Sequence, residues 1–360
     1  MSVGFQAVQW NRFKLVYDLV MWVGLAVTMG VFIAVTSMSQ ASGESFHPVQ
    51  LVLRAFGLAA IQLLFITLAI GPLARLSDRF KPLLYNRRHM GVTVFFLGLV
   101  HAALATLWYH GFSDTNALVS LISTNPNYDQ IYGFPFEALG LAALLILFVM
   151  AATSHDFWLD FLSAPVWKFI HMLVYPAYAL LLGHVVLGAL QDQTSLWMAF
   201  LVSGAALTLL ILHLITAWKE ARNDARADRA AKDGWLDAGD PCDIPDGRAV
   251  IISRSGGERI AVFRDGDQVS AISSVCRHQN GPLGEGHVKD GCVVCPWHGW
   301  EYRLTDGRAP APFTEKISTY PVRLVDGRVQ VNVKPLAPGT YSEPVLIDPP
   351  HDETDEGANR

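Results

Sequence analysis

The sequence lacks the cysteine content of a protein built on disulfide bonds, with only four cysteines in 360 residues. Two of them stand in a paired motif, so we predict no disulfide framework and a reducing compartment that suits thiolates. A Gly-x-Gly-x-x-Gly motif after a strand, a P-loop and a candidate flavin module are also missing. We therefore expect no flavin or nicotinamide domain in this chain. The net charge of -5 gives no reason to expect a nucleic-acid partner.

Long apolar runs fill the first 217 residues and are missing from residue 219 onward. A helix needs about 18 or more apolar residues to cross about 30 Å of hydrocarbon. Runs of about this length cover residues 16–37, 51–71, 90–109, 134–152, 167–190 and 197–217. We predict a membrane α-helical bundle of six spans over residues 1–217.

The loops on one side of these spans lack positive charge. No Lys or Arg occurs in residues 37–50, 110–133 and 191–196. Residues 72–89, by contrast, contain five. Because positive charge marks the cytoplasmic side, we predict a bacterial-type inner (plasma) membrane protein with both termini in the cytoplasm. Residues 218–233 are predicted to form a charged helical linker, and residues 336–360 a flexible acidic tail.

Residues 234–335 alternate short Val, Ile and Phe runs with Asp-Gly and Gly-Gly turns, which predicts a soluble all-β domain of hairpins. Two motifs interrupt this pattern: Cys276-Arg-His278 and Cys295-Pro-Trp-His298. Each offers one thiolate and one imidazole, the donors of a [2Fe-2S] centre with two Cys on one iron and two His on the other. A structural zinc site is the alternative, but Cys-x-His is shorter than the usual spacing in a zinc knuckle.

The sequence around both motifs resembles the Rieske ferredoxin family over residues 234–334. The matching segments are Cys276-Arg-His278-Gln-Asn-Gly-Pro-Leu and Cys295-Pro-Trp-His298-Gly-Trp-Glu-Tyr. The resemblance implies a Rieske-type [2Fe-2S] cluster with these two Cys and two His residues as metal ligands.

The sequence departs from the quinol-oxidising branch of that family. This branch has an extra Cys in each loop, where the present chain has Gly281 and Trp297. A Ser that donates to a cluster sulfur is replaced by Trp300, whereas Tyr302 matches the family's Tyr. Fewer hydrogen bonds to sulfur lower the potential, so we predict the low part of the Rieske range. We interpret the remaining nearby thiol, Cys292, as a buried strand residue.

Histidines stand inside the predicted spans, where ionisable residues are rare and functional by default. His101 lies in the middle of the third span, and His171 and His184 lie in the fifth. His101 and His184 have similar depths, so they could share one heme as axial ligands. His89 or His213 could join His171 to hold a second heme. Each of these histidines could instead bond only to a neighbouring helix.

The N-terminal part resembles the ferric reductase-like transmembrane family over residues 12–217. The resemblance is carried by the order of six spans and by three motifs: Ile70-Gly-Pro72-Leu-Ala-Arg75, Arg87-Arg88 before the third span, and Trp167-Lys-Phe-Ile-His171 followed by His184. It implies heme b, one or two per chain, with His101 and His184 as ligands. His171 matches a further heme-related position, and short bacterial members need not have a His at position 89.

Larger members of that family append a flavin and nicotinamide domain, and here the Rieske domain takes this place. We therefore predict a membrane-bound oxidoreductase component that passes single electrons between a cytoplasmic Rieske cluster and b-type heme in the bilayer. The predicted partners are a cytoplasmic electron donor (a reductase or a ferredoxin-like protein) and an acceptor at the membrane or its periplasmic side, with quinone as one candidate. The alternative is a redox or heme sensor, or an assembly module, without sustained electron flux. No two-His-one-carboxylate site follows residue 219 outside the cluster motif, so we expect no oxygenase activity.

Overall fold

The computed structural model describes residues 12–39, 47–112, 114–155, 158, 161–162, 164–191, 196–230, 234–253, 258–278, 281–296 and 299–347. The chain divides into two compact units. One comprises residues 10–216, and the other contains residues 217–360.

Helices account for most of the first unit. The described residues form α1 (Arg12–Ser39), α2 (Pro48–Leu76), α3 (Arg87–His110), α4 (Ala117–Ser123), α5 (Phe136–Ala152), α6 (Ala164–Met172), α7 (Val174–Leu187) and α8 (Leu196–Ala230). A 3-10 helix, Asp78–Asn86, joins α2 to α3.

Five described helical segments are long and apolar enough to cross a membrane. They are Lys14–Met38, Pro48–Leu76, Arg87–His110, Val166–Leu187 and Met198–Arg222. The remaining predicted span corresponds to α5, which is apolar but has only 17 residues. At 1.5 Å per residue this helix is about 25 Å long, slightly less than the hydrocarbon thickness. The predicted fold class, a membrane helical bundle followed by an all-β domain, is confirmed, with one short helix among the six.

The helical unit has a core built by pairs of helices. α2 packs along α3, and α5 packs along α7. Ala59 and Ala177 are fully buried in this core, and small residues at such positions let helices approach closely. On α1, by contrast, Leu19 and Val20 are 61% and 66% exposed. Apolar side chains that face outward in this way suit a lipid environment.

The fifth predicted span is interrupted at Leu173, between α6 and α7. Pro176 lies in the first turn of α7. Pro has no N–H, and the first turn of a helix is where this loss costs least. The interruption separates His171 on α6 from His184 on α7.

Within the second unit, the described residues from 234 to 347 form an all-β domain with three antiparallel sheets. Its strands are β1 (Trp235–Gly239), β2 (Ala249–Ile252), β3 (Ile260–Asp265), β4 (Gln268–Ser273), β5 (His287–Lys289), β6 (Cys292–Val294), β7 (Glu301–Arg303), β8 (Thr319–Tyr320), β9 (Val322–Val325), β10 (Arg328–Asn332) and β11 (Val345–Leu346). The sheet orders are β1-β10-β9, β11-β4-β3-β2 with β8 beside β4, and β5-β6-β7.

The hairpin between β9 and β10 illustrates why the turn residues predict this fold. Val325 pairs with Arg328, which leaves Asp326 and Gly327 as a two-residue loop. Both loop residues have positive φ angles, 50° and 72°. A turn of this kind matches the twist of the flanking strands and favours Asp-Gly.

The last span and residues 218–230 of the predicted linker form one helix, because α8 continues from apolar residues into the charged segment as far as Ala230. Residues 231–233 of the linker lie outside the described residues.

The prediction that a flexible tail begins at residue 336 was wrong for its first part. Residues 336–347 belong to the β domain, where β11 pairs with β4. Ile347 is 5% exposed, and its N–H donates to the carbonyl of Asp267 over 2.8 Å. The composition of this segment was misleading because backbone pairing, rather than a long apolar run, attaches it. Residues 348–360 lie outside the described residues.

Candidate metal centres

The first cluster motif lies in the loop that follows β4. The N–H of Cys276 donates to the carbonyl of Gly281 over 2.9 Å and closes this loop. Val275 and Pro282 form a β-bridge at its base. Cys276 is only 1% exposed, so its sulfur faces the interior of the domain. His278, two residues later, is partly buried.

The second motif lies in the loop between β6 and β7. The N–H of Cys295 donates to the carbonyl of Trp300 over 2.8 Å, and its carbonyl accepts the N–H of Gly299 over 2.9 Å. Gly299 has a φ of 70°, in the left-handed region that favours glycine. Cys295 is 2% exposed. His298, the fourth predicted ligand, lies outside the described residues, as does Trp297.

The two cysteines belong to one buried cluster of side chains. All four cysteines of the chain are described, and none forms a disulfide. Within the described ranges, no group of three or more His, Cys, Asp or Glu side chains could hold a single metal ion. A Rieske centre does not need such a group, because each of its two irons takes only two protein ligands. Two buried thiols with a nearby imidazole therefore fit a [2Fe-2S] cluster.

Tyr302 on β7 contacts Cys276, the first predicted cysteine ligand. Its hydroxyl lies 3.7 Å from Sγ of Cys276 and accepts the backbone N–H of Arg277 over 3.1 Å. As a cluster ligand Cys276 would be a thiolate, which cannot donate, and the phenolic hydrogen would then be directed to the sulfur. Burial and the adjacent Cys276 raise the pKa of Tyr302, so the phenol keeps this hydrogen.

Trp300 stacks on the imidazole of His278, which belongs to the first motif. The two ring centroids are 4.3 Å apart, and the ring planes are 6° from parallel. Phe313 packs against Trp300, with ring centroids 4.3 Å apart. The sequence identified Trp300 only as the replacement of a Ser, and nothing in its spacing indicated this stacking.

An ion pair connects the first ligand loop to the end of β4. Arg277, between the two ligands, donates to Glu258 over 3.2 Å, and Glu258 also accepts from the hydroxyl of Ser273 over 2.7 Å. Ser273 is fully buried. The sequence does not indicate this network, because Glu258 is separated from Ser273 by 15 positions and from Arg277 by 19.

Cys292 is the first residue of β6 and is 8% exposed. Burial, with a smaller effect of the Glu301 charge, raises the pKa of the Cys292 thiol. A thiol that remains protonated is a poor nucleophile and a poor ligand.

His101 and His184 approach each other within the helical unit. Their ring centroids are 6.1 Å apart, and the ring planes are nearly perpendicular at 86°. Nδ1 of His101 lies 2.7 Å from the carbonyl oxygen of Leu53, and Nδ1 of His184 lies 2.9 Å from that of Phe136. Because a carbonyl can only accept, each Nδ1 carries a proton and Nε2 is the nitrogen left for a metal.

This separation fits a heme held between the two imidazoles. A metal–nitrogen bond is about 2 Å long, and the nitrogen lies about 1 Å from the centroid of its imidazole ring. Two imidazoles bound to opposite sides of one metal would therefore have ring centroids about 6 Å apart. The 6.1 Å observed between His101 and His184 agrees with this value.

The other predicted heme ligands have protein partners elsewhere. His171 contacts its own Trp167 carbonyl through Nδ1 and the Ser154 hydroxyl through Nε2, at 3.0 and 3.2 Å. Both ring nitrogens of His171 therefore have protein partners in the described structure. His89 pairs through Nδ1 with the carboxylate of Asp18 at 2.9 Å.

His213, the other residue considered as a partner for His171, is also engaged. Its Nδ1 lies 2.9 Å from the carbonyl of Leu209, and its Nε2 lies 3.1 Å from the hydroxyl of Tyr175. His171 and His213 thus hydrogen-bond through both ring nitrogens, whereas the described hydrogen bonds of His101 and His184 involve Nδ1.

Comparison with known proteins finds a known family in each of the two units. The Rieske [2Fe-2S] domain family matches residues 234–321. The anthranilate 1,2-dioxygenase ferredoxin subunit of Burkholderia cepacia is 48% identical over 81 residues, which are 22% of this chain and 74% of that protein. The chain belongs to the Rieske family. Its N-terminal part matches the ferric reductase like transmembrane component over residues 56–182.

Further similarities of the Rieske domain are to other ferredoxins. The 3-phenylpropionate/cinnamic acid dioxygenase ferredoxin subunit of Shigella flexneri serotype 5b is 35% identical over 98 residues, which are 27% of this chain and 91% of that protein. A solved structure of a Sphingomonas yanoikuyae B1 ferredoxin is 28% identical, covering 27% of this chain and 96% of that chain with a TM-score of 0.26. The Rieske and ferric reductase-like domains together support a role in electron transfer.

Proposed function

We propose that this chain is a membrane electron-transfer oxidoreductase component that passes single electrons between a Rieske [2Fe-2S] cluster and one b-type heme. The observation that carries the proposal is the 6.1 Å separation of the His101 and His184 rings, in a chain that also has a Rieske domain. When bound, the two cofactors supply one-electron redox chemistry. The two curated relatives described above are ferredoxin subunits, and from them we take only the role of electron carrier.

Four side chains would hold the cluster: Cys276, His278, Cys295 and His298. The buried positions of both cysteines exclude water from the sulfur side of the site. Tyr302 directs its hydroxyl hydrogen to Sγ of Cys276, which stabilises negative charge on this sulfur.

His101 and His184 would hold the heme. Each donates its Nδ1 proton to a backbone carbonyl of a neighbouring helix. Such a bond fixes the tautomer and the orientation of a ligating imidazole, and it increases the basicity of the ligand.

We infer that the Rieske domain lies on the cytoplasmic side of a bacterial-type inner membrane. The 3-10 helix Asp78–Asn86 includes Arg79 and Lys81 and leads directly into Arg87 at the start of α3. The Rieske domain follows the last span in the chain, and α8 carries the end of this span into the charged segment. With six spans, the segment after the last span is on the same side of the membrane as the charged loop between the second and third spans.

The inferred electron path runs outward from the cytoplasm. A cytoplasmic reductase or ferredoxin-like protein would reduce the Rieske domain, and an acceptor at the membrane or its periplasmic side, including quinone, would oxidise the heme. A cluster in the low part of the Rieske range favours this direction.

A potentiometric titration of the full-length protein in detergent, followed by EPR and optical spectroscopy, tests this proposal. We expect one Rieske-type EPR signal and one low-spin b-type heme per chain, with the cluster potential at or below the heme potential. A protein that binds no heme, or that contains a zinc ion instead of the cluster, would contradict it. Two hemes per chain would contradict the proposal of a single heme.

A further inference from the structure

The two heme-ligand candidates are held in the same way on two different pairs of helices. His101 on α3 donates to the carbonyl of Leu53 on α2, and His184 on α7 donates to the carbonyl of Phe136 on α5. The two distances, 2.7 and 2.9 Å, are those of good hydrogen bonds. The repetition indicates a shared local requirement rather than a chance contact.

A glycine lies under each imidazole, four residues after the accepting carbonyl. A Cβ atom at Gly57 would lie 2.9 Å from Nδ1 and 3.0 Å from Cε1 of His101. A Cβ atom at Gly140 would lie 2.8 Å and 2.9 Å from the same atoms of His184. Non-bonded heavy atoms prefer separations of about 3.5–4.0 Å, so any larger residue would displace the ring.

The position of each glycine is related to the hydrogen bond of the histidine. In an α-helix the N–H of residue i donates to the carbonyl of residue i-4. The helical partner of the Leu53 carbonyl is therefore the N–H of Gly57, and that of the Phe136 carbonyl is the N–H of Gly140. A carbonyl oxygen has a second lone pair. The missing Cβ leaves room for the imidazole to reach it.

Glycine inside a helix costs about 1 kcal/mol relative to alanine, so its presence needs a compensating gain. At Gly24 and Gly91 no close neighbour requires a glycine, because a Cβ atom added at either position meets no described neighbouring atom within 4 Å. These two glycines are therefore matched controls in the same helical unit, with Gly91 on the same helix as His101.

We propose that Gly57 and Gly140 are positioning residues that allow His101 and His184 to donate Nδ1–H to a helix carbonyl and thereby present Nε2 to heme iron. This inference rests on the proposed function, because it concerns the same two ligands. It assigns a role to two residues that contact neither iron nor substrate.

The test compares Gly57→Ala and Gly140→Ala with Gly24→Ala and Gly91→Ala in the full-length protein purified in detergent. Heme transfer to apomyoglobin measures affinity, and loss of supporting contacts to a metal ligand typically costs about 10–100-fold in affinity. We expect a loss of this size in the first two variants and wild-type behaviour in the two controls. Equal heme retention in all four variants would overturn the inference.

EPR spectroscopy gives a second readout that a purely structural role would not change. Perpendicular imidazole planes, as observed at 86°, produce a highly anisotropic low-spin heme signal. We expect this signal in the wild type and a shift towards a rhombic signal when alanine rotates either ring. The EPR spectrum of the wild-type protein can be recorded even if an alanine variant does not fold, so it tests the geometry of the two imidazoles independently of the variants. A rhombic wild-type signal would overturn the inference.

These outcomes separate the inference from the function on which it rests. A wild-type protein without a six-coordinate low-spin heme would contradict both. A wild-type protein with this heme, together with unaffected Gly57→Ala and Gly140→Ala variants, would contradict only the role of the glycines.

Discussion

The Tyr302 hydroxyl lies between the two residues that begin the first ligand motif, 3.7 Å from the Cys276 sulfur and 3.1 Å from the Arg277 nitrogen. The hydroxyl accepts from the nitrogen, so its own hydrogen is available to the sulfur. Tyr302 is fully buried, and no shift of its ring is needed to make this contact.

Replacing this tyrosine with phenylalanine should lower the potential of the Rieske cluster. The reduced cluster carries more negative charge, and a hydrogen bond to its sulfur ligand stabilises this charge. A net hydrogen-bond contribution of about 1 kcal/mol corresponds to about 40 mV for one electron. Protein-film voltammetry of Tyr302→Phe measures the shift. Tyr341→Phe, at a tyrosine 62% exposed, is the control and should leave the potential unchanged. A potential that rises in Tyr302→Phe would contradict this role.

Removing the ring of Trp300 should accelerate loss of the cluster. The stacked pair with His278 contributes about 0.5–1.5 kcal/mol beyond the area it buries. We expect Trp300→Ala to lose the cluster absorbance faster than the wild type in the presence of a chelator, with Trp300→Phe in between. Trp235→Ala on β1 is a matched control, because Trp235 stacks with Arg323 rather than with a ligand. Equal rates in Trp300→Ala and the wild type would show that the stacking has no such effect.

The ligand motifs were predictable because their chemistry is local in sequence. Cys276 and His278 share one loop, and Asp-Gly turns such as Asp326-Gly327 mark the hairpins around it. The contacts of Trp300 and Glu258 with this loop were not predictable, because they depend on how separate strands pack. The same holds for the first part of the predicted tail, since strand pairing in residues 345–346 leaves no apolar run to detect.

For the membrane histidines, too, the sequence predicted some contacts and not others. Depth along the spans predicted that His101 and His184 approach each other, and the 6.1 Å between their rings is consistent with this. Depth could not indicate that His171 bonds at both ring nitrogens, because Ser154 lies on the loop after α5. Gly57 gave no signal in the sequence, since glycine within an apolar span is common.

Substitution of the histidines should distinguish one heme from two. We expect His101→Ala and His184→Ala each to lose the low-spin heme spectrum, and His171→Ala to keep it with one heme per chain. Pyridine hemochrome analysis with protein quantification gives this ratio. Retention of half of the heme in either of the first two variants would mean that a second binding site exists.

Cys292 should be dispensable for the cluster. Burial raises the pKa of its thiol, and its place on β6 lies three residues before the ligand Cys295. We expect Cys292→Ser to keep the Rieske EPR signal, whereas Cys295→Ser should lose it. Disappearance of the signal in Cys292→Ser, in protein that elutes and unfolds like the wild type, would assign Cys292 to the centre.

The most direct test of electron transfer between the two centres is stopped-flow reduction of the full-length protein in detergent, with NADH and a flavin-dependent ferredoxin reductase as the electron source. In the wild type, heme reduction should follow reduction of the cluster. In Cys276→Ser, which removes a cluster ligand and leaves His101 and His184 in place, the fast phase of heme reduction should disappear. Heme that is reduced at the same rate in Cys276→Ser and in the wild type would contradict a path through the Rieske cluster.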